Sequence, residues 1–165
     1  MRFEACLALL LISTLSAQAQ QPKVLRAEIT QFGIYEVGKV TRQSQSGILA
    51  GGTNTVNYKF KTETTSVPAR VGVHFGFEYR LIGVPKGAKV EVRKVDIFPE
   101  GGVTNPKTGK TATREEYSET TQIGGADLRG YGLDDDWEAV PGTWTLQVWY
   151  GDRMLAERSF TLVKP

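Results

Sequence analysis

A single histidine, a run of acids and three tryptophans are the side chains here that suit catalysis, metal binding or stacking. His74 stands on the polar side of an alternating stretch, with Glu78 two places along that side. A general acid or base works only with a reacting group within hydrogen-bond reach, and one strand supplies no such geometry. One histidine also excludes a three-histidine metal site. A surface or sheet-edge histidine is the reading that fits.

Asp134-Asp135-Asp136, with Asp127 upstream and Glu138 downstream, is the densest acidic cluster. Calcium takes several oxygens at flexible spacing, and this segment offers them. The alternate spacing and central glycine of an EF-hand loop are missing. Solvated turn acids account for the run, with calcium as the alternative. Trp137, Trp144 and Trp149 suggest stacking on a sugar or a peptide. Parity separates them. Trp144 falls with Leu146 and Val148 and belongs in a core, whereas Trp149 falls with Thr143, Thr145 and Gln147 and faces solvent. Trp137 lies in a loop that suits a plug at one end of the fold. Trp149, Trp137, Asp134, Asp135 and Asp136 are therefore the candidate ligand-binding residues. No catalytic residue, resident metal or cofactor is assigned. Gly101-Gly102 and Gly124-Gly125 are not followed by the Lys-Ser or Lys-Thr pair of a phosphate loop. No serine has the flanking glycines of a nucleophile elbow.

The elements that carry these side chains follow an N-terminal leader. Arg2, an apolar run from Ala5 to Leu15 and the small residues of Ala17-Gln18-Ala19 predict a signal peptide cleaved after Ala19. The run is shorter than the ~20 residues that span a bilayer, so no membrane insertion of the mature chain is expected. Residues 20–165 then read as one domain, periplasmic or secreted. Cys6, the only cysteine, goes with the leader, which excludes a disulfide, a thiolate metal site and thiol chemistry. The net charge of +2 is dispersed, and no Lys or Arg run exceeds two. Nucleic-acid binding needs a concentrated basic face, so no nucleic-acid partner is expected.

Alternation by twos dominates the rest. Leu25, Ala27 and Ile29 share one parity and Phe32 and Ile34 the other, which predicts a bulge or a change of sheet near Thr30-Gln31. Residues 42–53 read as a loop, and Val56, Tyr58 and Phe60 as a half-buried strand. From Arg70 to Leu81 the alternation is strict, with Val71, Val73, Phe75, Phe77, Tyr79 and Leu81 on one face. Gly72 and Gly76 on the other face leave room for a close approach. Pro85-Lys86-Gly87 turns the chain. The parity then shifts from Val90 and Val92 to Val95 and Ile97, which predicts a bulge at Arg93-Lys94. Residues 101–109 read as a loop, and 111–123 as a weak strand, with one helical turn over 114–117 as the alternative. Residues 124–136 read as irregular. In the last hairpin a three-residue loop, Gly151 to Arg153, pairs Trp144 with Phe160 and Leu146 with Arg158. About seven strands without helical crossovers predict an antiparallel immunoglobulin-like β-sandwich. An open barrel is the second choice.

Four segments point further: Phe32-Gly33-Ile34-Tyr35, then Phe75-Gly76-Phe77-Glu78-Tyr79, then Trp137-Glu138 with Pro141-Gly142-Thr143-Trp144, then Val148-Trp149-Tyr150-Gly151. Taken in order, they resemble the bacterial family catalogued as domain of unknown function 3859. The resemblance covers most of the mature chain. It implies an exported or cell-envelope protein with a sandwich fold, and it carries no activity or site residue. The expectation is a non-enzymatic binding or accessory module that holds an envelope protein partner by a sheet edge or by the loops at 42–53 and 101–125. The alternative is a small-ligand module for a glycan, a peptidoglycan fragment or calcium. A hydrolase has no residue in its favour.

Overall fold

The computed structural model of the chain describes residues 21–42 and 53–164. The expected leader, its cleavage site after Ala19 and residues 43–52 of the expected loop lie outside the described residues. Eleven strands follow one another among the described residues: β1 (Lys23–Arg42), β2 (Thr53–Thr62), β3 (Ser66–Pro68), β4 (His74–Val84), β5 (Lys89–Ile97), β6 (Val103–Asn105), β7 (Lys110–Ala112), β8 (Arg114–Gln122), β9 (Ala126–Gly132), β10 (Gly142–Tyr150) and β11 (Arg153–Val163). One 3-10 turn, Asp136–Glu138, precedes β10. Sheet A has the order β2-β1-β4-β9 and sheet B the order β3-β11-β10-β5-β8, while β6 and β7 pair as a small hairpin. Among the strand pairs of the described residues, only β3 with β11 is parallel. This is the expected immunoglobulin-like β-sandwich, built from eleven strands rather than about seven.

Of the additional strands, β3 is a three-residue strand at Ser66–Pro68, and β6, β7 and β9 come from residues 101–136, which lack apolar alternation. β6 occupies the expected loop at 101–109 and pairs with β7 just beyond it, residues 114–117 are strand and not a helical turn, and β9 occupies the segment read as irregular. Apart from the tyrosines, the inward positions of β8 and β9 are polar or charged, so the usual signal is missing there. β4 begins at His74 and not at Arg70. Gly72 has φ +85°, a value that turns the chain, and Val71 is exposed. Gly76 is approached closely, as expected: a Cβ there would meet the Arg129 carbonyl oxygen at 2.2 Å.

The bulge in β1 lies between Ile29 and Gln31, as its parity predicts. A second shift between Val24 and Arg26 turns Val24 into the core and leaves Leu25 48% exposed, against expectation. The bulge expected at Arg93-Lys94 does not exist. β5 pairs with β8 and with β10 without a register shift across these residues. Lys94 and Asp96 continue the inward row of Val90 and Val92, and each is only 3% exposed. The parity break in the sequence marks a change from apolar to ionic packing on one unbroken face.

The sandwich interior therefore has two parts. Towards one end, Trp144 meets Tyr131 at 4.8 Å, Phe98 at 5.0 Å and Phe75 at 5.9 Å between ring centroids, all edge to face. Such pairs add about 0.5–1.5 kcal/mol each to simple burial. The Trp144 indole donates to the Val140 carbonyl at 2.9 Å. Along the β8–β9 side the contacts are ionic. Arg129 of β9 donates to Asp96, to the Val95 carbonyl at 2.9 Å and to the Gln147 carbonyl at 3.2 Å. Burial pushes the Asp96 carboxyl up, and Arg129 pulls it back. Lys94 donates to the Leu128 carbonyl at 2.9 Å and pairs with Glu119 at 2.7 Å.

Tyr58 and Phe60 of β2 do not enter this interior. They pack with Tyr35 on the outer face of sheet A, at ring distances of 5.5–6.2 Å. The last hairpin pairs Trp144 with Phe160 and Leu146 with Arg158, as expected. The loop differs: Tyr150 pairs with Arg153 across the two residues Gly151-Asp152, and a bulge at Leu155 restores the register. Gly151, with φ +55°, suits so tight a turn.

Candidate functional site

The outer face of sheet B carries Trp149, which is half-buried. β5, β8, β10 and β11 set its side chains in rows through their register. Trp149 is opposite Arg93 on one side and Met154 on the other, and Arg93 is opposite Ser118. In the next row Gln147 lies between Val95 and Glu157, and Val95 is opposite Glu116.

These side chains hold one another. The Trp149 indole donates to the Gln147 side-chain oxygen at 2.8 Å, and the Gln147 amide donates to Glu157 at 2.6 Å. The Arg93 guanidinium sits 5.3 Å from the Trp149 ring centroid, within cation–π range. Arg93 also donates to Glu116 at 3.3 Å, and Arg114 donates to the same oxygen at 3.0 Å. The hydrogen bond from Arg114 and the charge of Arg93 hold the Glu116 carboxyl below the usual range. Val95 is fully buried although it lies on the outer face. Trp149 is thus a fixed, half-buried aromatic with Met154, 47% exposed, beside it.

The other candidates lie elsewhere. Trp137 packs against the core from the 3-10 turn, and its buried indole N–H has no partner among the described residues. Its position fits a plug rather than a platform. The acidic run does not converge. Asp134 lies 3.7 Å from His74, Asp135 lies 3.6 Å from Lys107, and Asp136 is exposed. Glu138 turns inward, 1% exposed, and accepts the backbone N–H groups of Asp134 and Asp135 at 2.7 Å each. The Tyr131 hydroxyl donates to it at 3.2 Å. Burial pushes the Glu138 carboxyl up, against the pull of those donors. Among the described residues, no three His, Cys, Asp or Glu side chains gather to hold a metal ion. His74 lies beside the Tyr35 ring, with 5.7 Å between ring centroids.

Trp149 and the acidic turn flank opposite ends of β10. From Gly142 to Trp149 the strand runs roughly 23 Å at its usual rise. The five candidates therefore form two places and not one. Parity in β10 alone exposes Trp149. Arg93 is missed because it depends on β5 being the other neighbour of β10, and Met154 because the bulge at Leu155 shifts the hairpin register.

The sequence profile of the family described as "Domain of unknown function (DUF3859)" matches residues 23–162. This chain belongs to the DUF3859 family. The domain is also similar in structure to an immunoglobulin-like protein from Pseudomonas aeruginosa, known from a crystal structure. The two share 28% sequence identity and a TM-score of 0.60, over 90% of this chain and 100% of the other. No curated protein matches the DUF3859 chain. No described helix is long and apolar enough to cross a membrane.

Proposed function

We propose that this DUF3859 domain is a non-catalytic protein-binding module of the bacterial cell envelope, and that the outer face of sheet B is its contact surface. The observation that carries the reading is Trp149, held at the solvent face by Gln147 and Arg93 and flanked by exposed Met154. Tryptophan, arginine and methionine are enriched at protein interfaces, and a few such anchors within a polar rim carry most of the binding energy. Arg93 lies over the indole, which favours a protein contact over a stacked sugar ring. The placement in the envelope rests on the leader pattern of residues 1–19.

Strand addition at a sheet edge has less in its favour. β3 is only three residues long, and β11 is bulged at Leu155. β2 skips a residue at Lys61, where its pairing with β1 shifts. β8 turns the buried Glu115 and the half-buried Glu119 inward. All are features that protect edges from pairing.

The test is capture from the native envelope with wild-type and Trp149→Ala proteins of equal circular dichroism. Reproducible capture of one protein by the wild type, lost in the variant, supports the proposal. Capture that is unchanged in the variant contradicts it. Loss of glycan binding in the variant, with no protein captured, would replace the partner class.

A further inference from the structure

We infer that Lys94 and Asp127 form a latch over the free edge of β9, and that the partner this edge would otherwise take is β9 of a second copy of the chain. β9 is the outermost strand of sheet A. In an antiparallel strand the N–H and C=O of one residue point to the same side, and alternate residues point to the free edge. At Leu128 both groups are taken by side chains. Its N–H donates to Asp127 Oδ1 at 2.8 Å, and its carbonyl accepts from Lys94 Nζ at 2.9 Å. At Gly130, the next residue with the same orientation, the carbonyl accepts from Arg129 at 3.2 Å. Three of the four groups that Leu128 and Gly130 would offer a new ladder are thus already bonded.

Lys94 reaches this edge from the opposite sheet. It leaves β5 within the sandwich, and its ammonium lies 2.7 Å from Glu119 of β8 and 3.6 Å from Asp127 of β9. Tyr79 fixes the other Asp127 oxygen by donating at 2.7 Å. An apolar chain would fill the same interior space without that desolvation cost, and such replacements are often neutral or stabilising. A buried lysine here is therefore better explained by edge protection than by stability. Edge strands are protected in this way by inward-pointing charges. A second copy is the natural occupant because two identical β9 edges, related by a two-fold axis, offer each other Leu128 and Gly130 in antiparallel register.

The experiment compares wild type, Lys94→Arg and the double variant Lys94→Met/Asp127→Ala at matched concentrations by sedimentation velocity, with circular dichroism as the check on folding. The double variant is expected to stay folded and to double its apparent mass relative to wild type as concentration rises. Hydrogen exchange should then show new protection at the Leu128 and Gly130 amides. Lys94→Arg, which keeps a charged donor, should sediment as the wild type does. A folded double variant that sediments like the wild type at every concentration overturns the inference. So does association with protection elsewhere. If the double variant does not fold, Lys94→Met alone is measured in its place, and failure of that variant to fold makes Lys94 a stability residue and also overturns the inference.

Discussion

The Trp149 face and the Asp134–Glu138 turn both present side chains suited to binding, and they differ in where those side chains point. On the face, Trp149, Gln147, Arg93 and Glu157 come from three strands and restrain one another at the solvent surface. In the turn, the charged groups are consecutive in sequence and disperse in space. Glu138 goes inward to two backbone N–H groups, Asp134 towards β4 and Asp135 towards the hairpin of β6 and β7. Density of like residues along a chain is thus a poor guide to a site. A turn uses its own acids to build itself, whereas a surface for a partner is assembled across strands.

The strongest way to break this contrast is at Glu138. If the turn is structural, Glu138→Ala leaves the N–H groups of Asp134 and Asp135 without their acceptor and costs about 3 kcal/mol in chemical denaturation. A loss under about 0.5 kcal/mol would remove the structural role assigned to it. Next comes Trp149→Ala. Its effect on partner capture should reach about 2 kcal/mol, roughly thirty-fold, as for an interface anchor. Its effect on stability should stay near 1 kcal/mol, since a partly exposed cation–π contact contributes about that much. Equal losses of binding and stability would make Trp149 an ordinary packing residue.

A pH titration sharpens the same contrast. Burial holds the Glu138 carboxyl above its reference value of 4.5. The folded chain then binds that proton more tightly than the unfolded chain does. The resulting stability is complete below the unfolded value and is lost as pH rises through the folded one. Between neutral pH and 4.5 the wild type should therefore gain stability relative to Glu138→Gln. Parallel curves would contradict the burial of an ionisable group there. The smallest effect belongs to Asp136→Asn, which removes an exposed charge. Stability should change by less than about 0.5 kcal/mol, and calorimetry with added calcium should show no difference from the wild type. A calcium signal lost in Asp136→Asn would restore the turn as a site.

What was legible beforehand follows from the kind of partner each strand has. β4, β10 and β11 place Phe75, Phe77, Trp144 and Phe160 inward by simple alternation, and the pairing of Trp144 with Phe160 follows from it. The β1 bulge is legible for the same reason. β8 and β9 are not, because their inward residues include the buried Glu115 and, with partners on other strands, Glu119, Asp127 and Arg129. The same ionic patch disguises Lys94 and Asp96 as solvent-facing and produces the false bulge in β5. For the face, parity reaches Trp149, only the strand order of sheet B reaches Arg93, and only the bulge at Leu155 brings Met154 opposite Trp149.

The most direct measurement places a photo-crosslinking amino acid at Ser118, beside Arg93 on the outer face of sheet B, and in a second protein at Asp136 in the acidic turn. Both proteins are irradiated in the native envelope, and the products are identified by mass spectrometry. The account predicts one reproducible protein adduct from Ser118 and none from Asp136. The same adduct from Asp136, with none from Ser118, would move recognition to the end of the sandwich and contradict it.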